Sequence, residues 1–188
     1  MEEAKPGRTS VAEFEKLLAA SDKKLELLEG DVVAFAGGSV AHGMLCSRLH
    51  IAISAAKKPP CQVFTSDVAV RLAERSTYAF PDVSRTCEQL DANAMHITAP
   101  DLVVEVISPE SKARDRGEKL DAYQSIPSVM EYLLVDSRRV WVCIFRRMAG
   151  GFWTETTYGI DETVELRTAG VTIGVADLYA GTGRVLSM

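Results

Sequence analysis

No apolar run in the chain approaches the roughly eighteen residues needed to cross a bilayer, and the opening segment, MEEAKPGRTS, is charged where a secretory signal would be apolar. A soluble, cytoplasmic protein with no membrane partner is the expectation. Cysteine is scarce and unpatterned: Cys46, Cys61, Cys87 and Cys143 form no CxxC pair. That scatter favours reduced, buried thiols over a zinc site or disulfides. Positive charge is in deficit, with 21 Lys and Arg against 26 Asp and Glu and a formal net charge of −5. Nonspecific nucleic-acid binding is driven by Lys and Arg neutralising phosphates, so a large footprint of that kind is not expected. A local basic groove remains compatible with the charge. It could draw on Lys112, Arg114, Arg116 and Lys119, or on Arg138, Arg139, Arg146 and Arg147, although a solvated face is the simpler account of the second set. Repeats, low-complexity tracts, zinc fingers, helix-turn-helix motifs and linkers are missing as well. With 47% hydrophobic and 25% charged residues, the chain of 188 residues is expected to form one domain, residues 1–188.

What is present is a clear succession of elements. Ser10 and Glu13 make a capping-box pair at the start of a helix over Val11–Ala20, whose Val11, Phe14, Leu17 and Leu18 share a stripe. LELLEGDVVAF reads as a hairpin of Leu25–Leu28 and Val32–Phe35 turning at Glu29-Gly30-Asp31. Gly37-Gly38-Ser39 breaks the pattern before a second helix, Val40–Ala56, which Lys57-Lys58-Pro59-Pro60 ends. CQVFTSDVAVRL and YAFPDVSRTCE are spaced as two strands of a second hairpin. DLVVEVISP follows as a buried strand, then a helix from Arg114 or Asp115 to Gln124. EYLLVD, RVWVCIFRR and GFWTETTY read as strands, and so do ETVEL and VTIGV before a helical turn around Ala176–Ala180. This order predicts an α/β, or mixed α+β, domain. It has a central mixed β-sheet flanked by helices, an N-terminal helix and β-hairpin, and one parallel crossover between Leu102 and Val135.

Two acids stand out by their surroundings. Glu105 is flanked by Val103, Val104, Val106 and Ile107, a β-branched run suited to a strand covered on both faces. Asp82 lies in FPDV on a neighbouring apolar segment. A carboxylate stripped of water and held beside another resists ionisation unless a cation joins it, either a metal or a lysine. A structural ion pair explains Glu105 alone equally well. With Lys119 on the following helix, the set suits phosphodiester hydrolysis. Carboxylate oxygens hold Mg²⁺ or Mn²⁺, which polarises the phosphoryl group and activates water, while the ammonium orients water or steadies developing charge. Strand alternation puts Asp101, Val103, Glu105 and Ile107 on one face. Ile107 thus stands where a lysine two residues after Glu105 would stand, and the cation must come from elsewhere.

FPDV followed by PDLVVEVISPESKARDRGEKLDAYQSIPSVMEYLLVD resembles the Uma family of the PD-(D/E)xK nuclease superfamily, whose fold is restriction-endonuclease-like. The resemblance extends from LELLEGDVVAF and GGSVAHGMLCSRL through TSDVAVRL to EYLLVD and VWVCIFRR, and is most specific over residues 100–136. It implies Mg²⁺-dependent DNA cleavage, with Asp82 as the acid of PD, Glu105 as (D/E), and Lys119 as the motif's lysine displaced to a helix. A second PD, Pro100-Asp101, competes for the first role. Asp82 is preferred because Asp101 lies on the strand of Glu105, roughly 13 Å away if extended, too far to share a metal. Accessory candidates are Asp67 in TSDVAV, His42 at a position where the family often has histidine, and Arg116, which suits a phosphate or a site carboxylate. Each also fits a structural role, and Tyr123 suits packing. The expected protein is a metal-dependent endonuclease acting on DNA. Its rival is a catalytically inactive DNA- or protein-binding module on the same fold, favoured by the acidic charge and the absent strand lysine. Two active sites would suit double-strand cleavage, so a homodimer is a further expectation.

Overall fold

The computed structural model describes residues 8–34, 38–109 and 111–184; Phe35 and Gly37, invoked above for the first hairpin and the break after it, lie outside these. Helix α1 (Val11–Ala19) is opened by Ser10, whose side chain accepts the Glu13 N–H while the Glu13 carboxylate accepts the Ser10 N–H at 2.9 Å. Strands β1 (Leu25–Leu28) and β2 (Asp31–Ala34) form the expected hairpin, and helix α2 (Val40–Ala56) follows.

The two apolar segments of the second hairpin depart from expectation, because each is two strands. CQVFTSDVAVRL divides into β3 (Gln62–Thr65) and β4 (Ala69–Leu72), while YAFPDVSRTCE divides into β5 (Thr77–Ala79) and β6 (Val83–Thr86). β4 pairs with β5 in one sheet, and β3 pairs with β6 in another, Thr65 opposite Val83. Pro81 supplies the physical reason, since it has no N–H to donate to a ladder. A single long hairpin thereby crosses between sheets, and Asp82 sits at the crossing.

After β7 (His96–Ile97) comes β8 (Pro100–Ile107), the strand of Glu105. The expected helix begins slightly earlier and breaks at Arg116-Gly117 into α3 (Lys112–Asp115) and α4 (Glu118–Ser125). The chain continues with β9 (Glu131–Asp136), β10 (Val142–Arg147), β11 (Trp153–Tyr158), β12 (Thr163–Leu166), β13 (Val171–Gly174) and α5 (Val175–Tyr179). The central sheet has six strands in the order β11, β10, β9, β8, β6, β3. It is mixed: β8 and β9 are parallel, joined by the crossover through α3 and α4, and the other neighbours are antiparallel. A second sheet of five strands, in the order β2, β1, β5, β4, β7, takes up the N-terminal hairpin, and β12 pairs with β13.

Strand alternation divides the core. Leu102, Val104, Val106, Leu133, Val135, Val142 and Ile144 pack against Leu45, Leu49 and Ile53 of α2. Val103, Ile107, Tyr132, Leu134 and Phe145 pack on the opposite face against Tyr123 and Ile126. Each such side chain, fully buried, contributes about 1.5–3 kcal/mol. Both faces of β8 are therefore covered, as its apolar run predicted, and Glu105 points with Val103 and Ile107 toward α4. Among the described residues no helix is long and apolar enough to cross a membrane.

The cysteines correct one expectation. Cys61 and Cys87 are joined in a disulfide, while Cys46 and Cys143 are free. The β3–β6 register pairs Gln62 with Thr86, so the next residues outward, Cys61 and Cys87, face each other across the ladder. That proximity depends on strand pairing and leaves no trace in cysteine spacing.

Candidate functional site

Glu105 reaches out of β8 into a buried cluster of charge. Its Oε1 lies 3.0 Å from Lys119 Nζ and accepts the Tyr123 hydroxyl at 3.2 Å, so two successive turns of α4 hold one carboxylate oxygen. Lys119 Nζ is also 3.0 Å from Glu26 Oε1 and 3.6 Å from Asp115 Oδ1. Glu26 comes from β1 and accepts the Phe80 N–H at 2.8 Å. Asp115 ends α3, whose last carbonyl accepts the Tyr132 hydroxyl at 3.0 Å. Glu26 and Asp115 are each 2% exposed, Glu105 and Lys119 each 5%. One ammonium thus faces three carboxylates out of water.

Asp82 approaches from the crossing between sheets. Its Oδ2 accepts the backbone N–H of Val106 at 2.7 Å, which fastens it beside the residue after Glu105. Its Oδ1 lies 3.1 Å from His42 Nε2, in the first turn of α2. Asp82, Glu105, Lys119, Glu26, Asp115 and His42 all line one cavity of about 290 Å³.

The electrostatics follow from burial and crowding. Burial lifts the Glu105 carboxyl well above its ordinary range; Lys119 opposes the shift, while Asp115, Asp82 and Glu26 reinforce it. Burial raises Asp115 as well. For Lys119 burial works against the ammonium, but Glu105, Glu26 and Asp115 outweigh it and keep the side chain charged beyond its ordinary range. The hydrogen bond to Asp82 raises His42 against the effect of its own burial. Three buried carboxyl groups share one ammonium, and an added cation would favour their ionised forms. Asp82 and Glu105 are oxygen donors on a common cavity, the hard ligand type that suits Mg²⁺ or Mn²⁺. The donor set fits such an ion.

The remaining sequence candidates lie apart. Asp67 is exposed in the turn between β3 and β4, where its Oδ2 accepts the Thr65 hydroxyl at 3.2 Å. Arg116 binds Glu155 of β11 at 2.7 Å and lies over the Trp141 ring, 5.3 Å from its centroid. Asp101 ion-pairs with Arg85. Besides Lys119, the basic residues Lys24, Arg114 and Arg138 line the cavity. Arg146 and Arg147 are not a solvated face: Arg146 is buried against Glu131 at 2.8 Å, and Arg147 donates to the carbonyls of Gln124, Ile126 and Val129.

Glu26 and Asp115 were not singled out from the sequence. Glu26 carried the same signal as Glu105, an acid inside an apolar strand, in LELL; all four residues of β1 are buried. Asp115 precedes Lys119 by four residues, the spacing at which helical side chains meet.

Several known proteins are similar to the chain. Two relatives from Synechocystis sp., described as uncharacterized proteins slr1290 and sll1609, are 33% and 30% identical to it. The first alignment covers 85% of both chains, the second 68% of this chain and 74% of the relative. A solved structure from Anabaena variabilis, titled "a putative nuclease belonging to DUF820", superposes with a TM-score of 0.75 over 90% of this chain and 97% of the other. At 18% identity that likeness shows the fold, restriction-endonuclease-like with a mixed sheet flanked by helices. Residues 11–176 match the family Uma2, described as "Putative restriction endonuclease", and the chain belongs to that family.

Proposed function

We propose that the protein is a metal-dependent endonuclease that hydrolyses DNA phosphodiester bonds. Asp82 and Glu105 hold Mg²⁺ or Mn²⁺, and Lys119 completes the PD-(D/E)xK set from α4 in place of a strand lysine. The observation that carries this reading is the crowding of buried carboxyl groups around a single ammonium, with Asp82 and Glu105 lining the same cavity. Such charge is costly to bury, and groups of this kind cluster at functional sites. When bound, the cation would polarise the phosphoryl oxygen and lower the pKa of a coordinated water.

The chain's own groups do the rest. The Val106 N–H orients Asp82, and Lys119 with Tyr123 orients Glu105 and favours its ionised form. An ammonium has three N–H donors, and Lys119 directs two at Glu105 and Glu26 with Asp115 nearby. Its role is therefore chiefly to position and charge the metal-binding carboxylate. Arg114 and Arg138 on the cavity wall have the guanidinium geometry that grips phosphate. Two guanidinium groups beside the carboxylates of one cavity fit a substrate engaged at one place on an acidic protein. DNA as substrate goes with a cytoplasmic setting, and a homodimer would present two centres to the two strands of a duplex.

The test uses supercoiled plasmid and purified protein. Nicking is expected in Mg²⁺ or Mn²⁺, none in chelator, and none with Asp82→Ala in either. Equal nicking in chelator would sink the reading. Lys119's engagement with three carboxylates favours the rival, a catalytically inactive DNA- or protein-binding module. The melting temperature separates the two. A metal centre predicts a rise with Mn²⁺ that Asp82→Ala removes, and an unchanged value in both proteins would leave the inactive module standing.

A further inference from the structure

Beside the oxygen-rich cluster, Asp82 belongs to a second group of different chemistry. His42 and Cys46 are four residues apart on α2, hence on one face of the helix. Ser39 fixes that end of the helix by accepting the His42 N–H at 3.2 Å. One ligand atom each from His42, Cys46 and Asp82 lie within 4.8 Å of one another, and all three residues are partly exposed. Tetrahedral zinc, with bonds of about 2.0–2.3 Å, needs its donors about 3.3–3.8 Å apart. A small contraction of the group would reach that spacing, with the His42–Asp82 hydrogen bond opening to admit the ion.

We propose that His42, Cys46 and Asp82 form a site for a borderline transition-metal ion, Zn²⁺ in type, which draws Asp82 away from the oxygen-ligand centre. An imidazole nitrogen, a thiolate and one carboxylate oxygen are the donor types zinc selects, whereas Mg²⁺ disfavours sulfur. The Cys46 thiol proton leaves to solvent when sulfur binds the metal. The group opens on a groove also lined by His50 and Thr65, through which an ion can enter and a water can take the fourth position. Three protein ligands and an open fourth place make an exchangeable site, suited to regulation. Binding at this site does not depend on the nuclease reading. The competition for Asp82 does, because it requires Asp82 to hold the hard cation.

Co²⁺ serves as the optical probe, since it takes the same ligands and reports a bound thiolate. Wild-type protein is expected to show a sulfur-to-cobalt charge-transfer band and intense visible bands at one equivalent, displaced by Zn²⁺. Cys46→Ala and Cys46→Ser should both lose the charge-transfer band, and His42→Ala should weaken cobalt binding at least about tenfold. Cys143 and the Cys61–Cys87 pair are untouched in these variants. A band that persists in both Cys46 variants, or is missing from the wild type, overturns the site. In protein whose melting temperature responds to Mn²⁺, saturating Mg²⁺ should lower the cobalt affinity; unchanged affinity there overturns the sharing of Asp82. Failure of nicking alone touches neither result.

Discussion

Glu105→Gln is expected to lose divalent-dependent nicking by on the order of 10³-fold while melting no lower than wild type in chelator. The functional half follows from the proposed nuclease, in which Glu105 holds the metal: transition-state stabilisation of several kcal/mol is then at stake, and about 4 kcal/mol corresponds to three orders of magnitude. The stability half follows from the cluster. Glutamine keeps the shape, and its amide oxygen can still accept from Lys119 and Tyr123, but two carboxylates then face one ammonium in place of three. Glu105 has its folded pKa raised above the ordinary 4.5, chiefly by burial. A group shifted this way contributes stability that is fully present below its unfolded pKa and is lost as pH rises through the folded value. Glutamine contributes no such loss. The advantage of Glu105→Gln over wild type in urea unfolding should therefore widen as pH rises above 4.5, and added Mn²⁺ should erase it by stabilising the wild type alone. A variant that is less stable at neutral pH, with the deficit growing as pH rises, would show that the carboxylate is a net support of the fold.

Glu105 was legible in the sequence because both signals it rests on are local. A β-branched run marks a two-sided strand, and alternation alone assigns Glu105 to the face of Val103 and Ile107. The parallel crossover from β8 to β9 followed from strand–helix–strand order, and α1 from its capping box. What escaped depends on long-range pairing. Pro81 lies in an apolar segment whose pattern reads as continuous strand, and only the competition between two sheets makes it the point where the hairpin crosses over. Glu26 carries the pattern of Glu105, yet its meaning depends on β1 pairing with β5 so that its carboxylate meets Lys119. Cys61 and Cys87 are brought together by a ladder register that spacing does not encode. Arg116 shares the helical spacing that nominated it beside Lys119, but the break at Gly117 sends it to Glu155 instead. Helical periodicity cannot report its own interruption.

Lys119→Met is the sharpest test of what the lysine does. Methionine fills much of the same space without charge, leaving Glu26, Glu105 and Asp115 buried with no counterion. Removing one partner of a buried ionic group typically costs about 3–5 kcal/mol, because the remaining charge is stranded in a poor solvent. We expect a loss of that size in urea unfolding at neutral pH, among the largest that a single substitution gives. The loss should shrink as pH falls. Without the ammonium, the carboxyl groups that burial already raises, Glu105 and Asp115, rise further, so protonation neutralises them at a milder pH. Adding Glu105→Gln to Lys119→Met should recover part of the stability, since the two residues interact directly and their effects are coupled. A loss below about 1 kcal/mol, independent of pH, would mean that the carboxyls are already neutral in the wild type. The nuclease reading would then lose its basis, since a protonated Glu105 offers a hard cation little. The ammonium on which the buried carboxyls depend is thus the group that opposes the rise in the Glu105 pKa, and in the proposed nuclease the support of the fold and the charging of Glu105 stand or fall together.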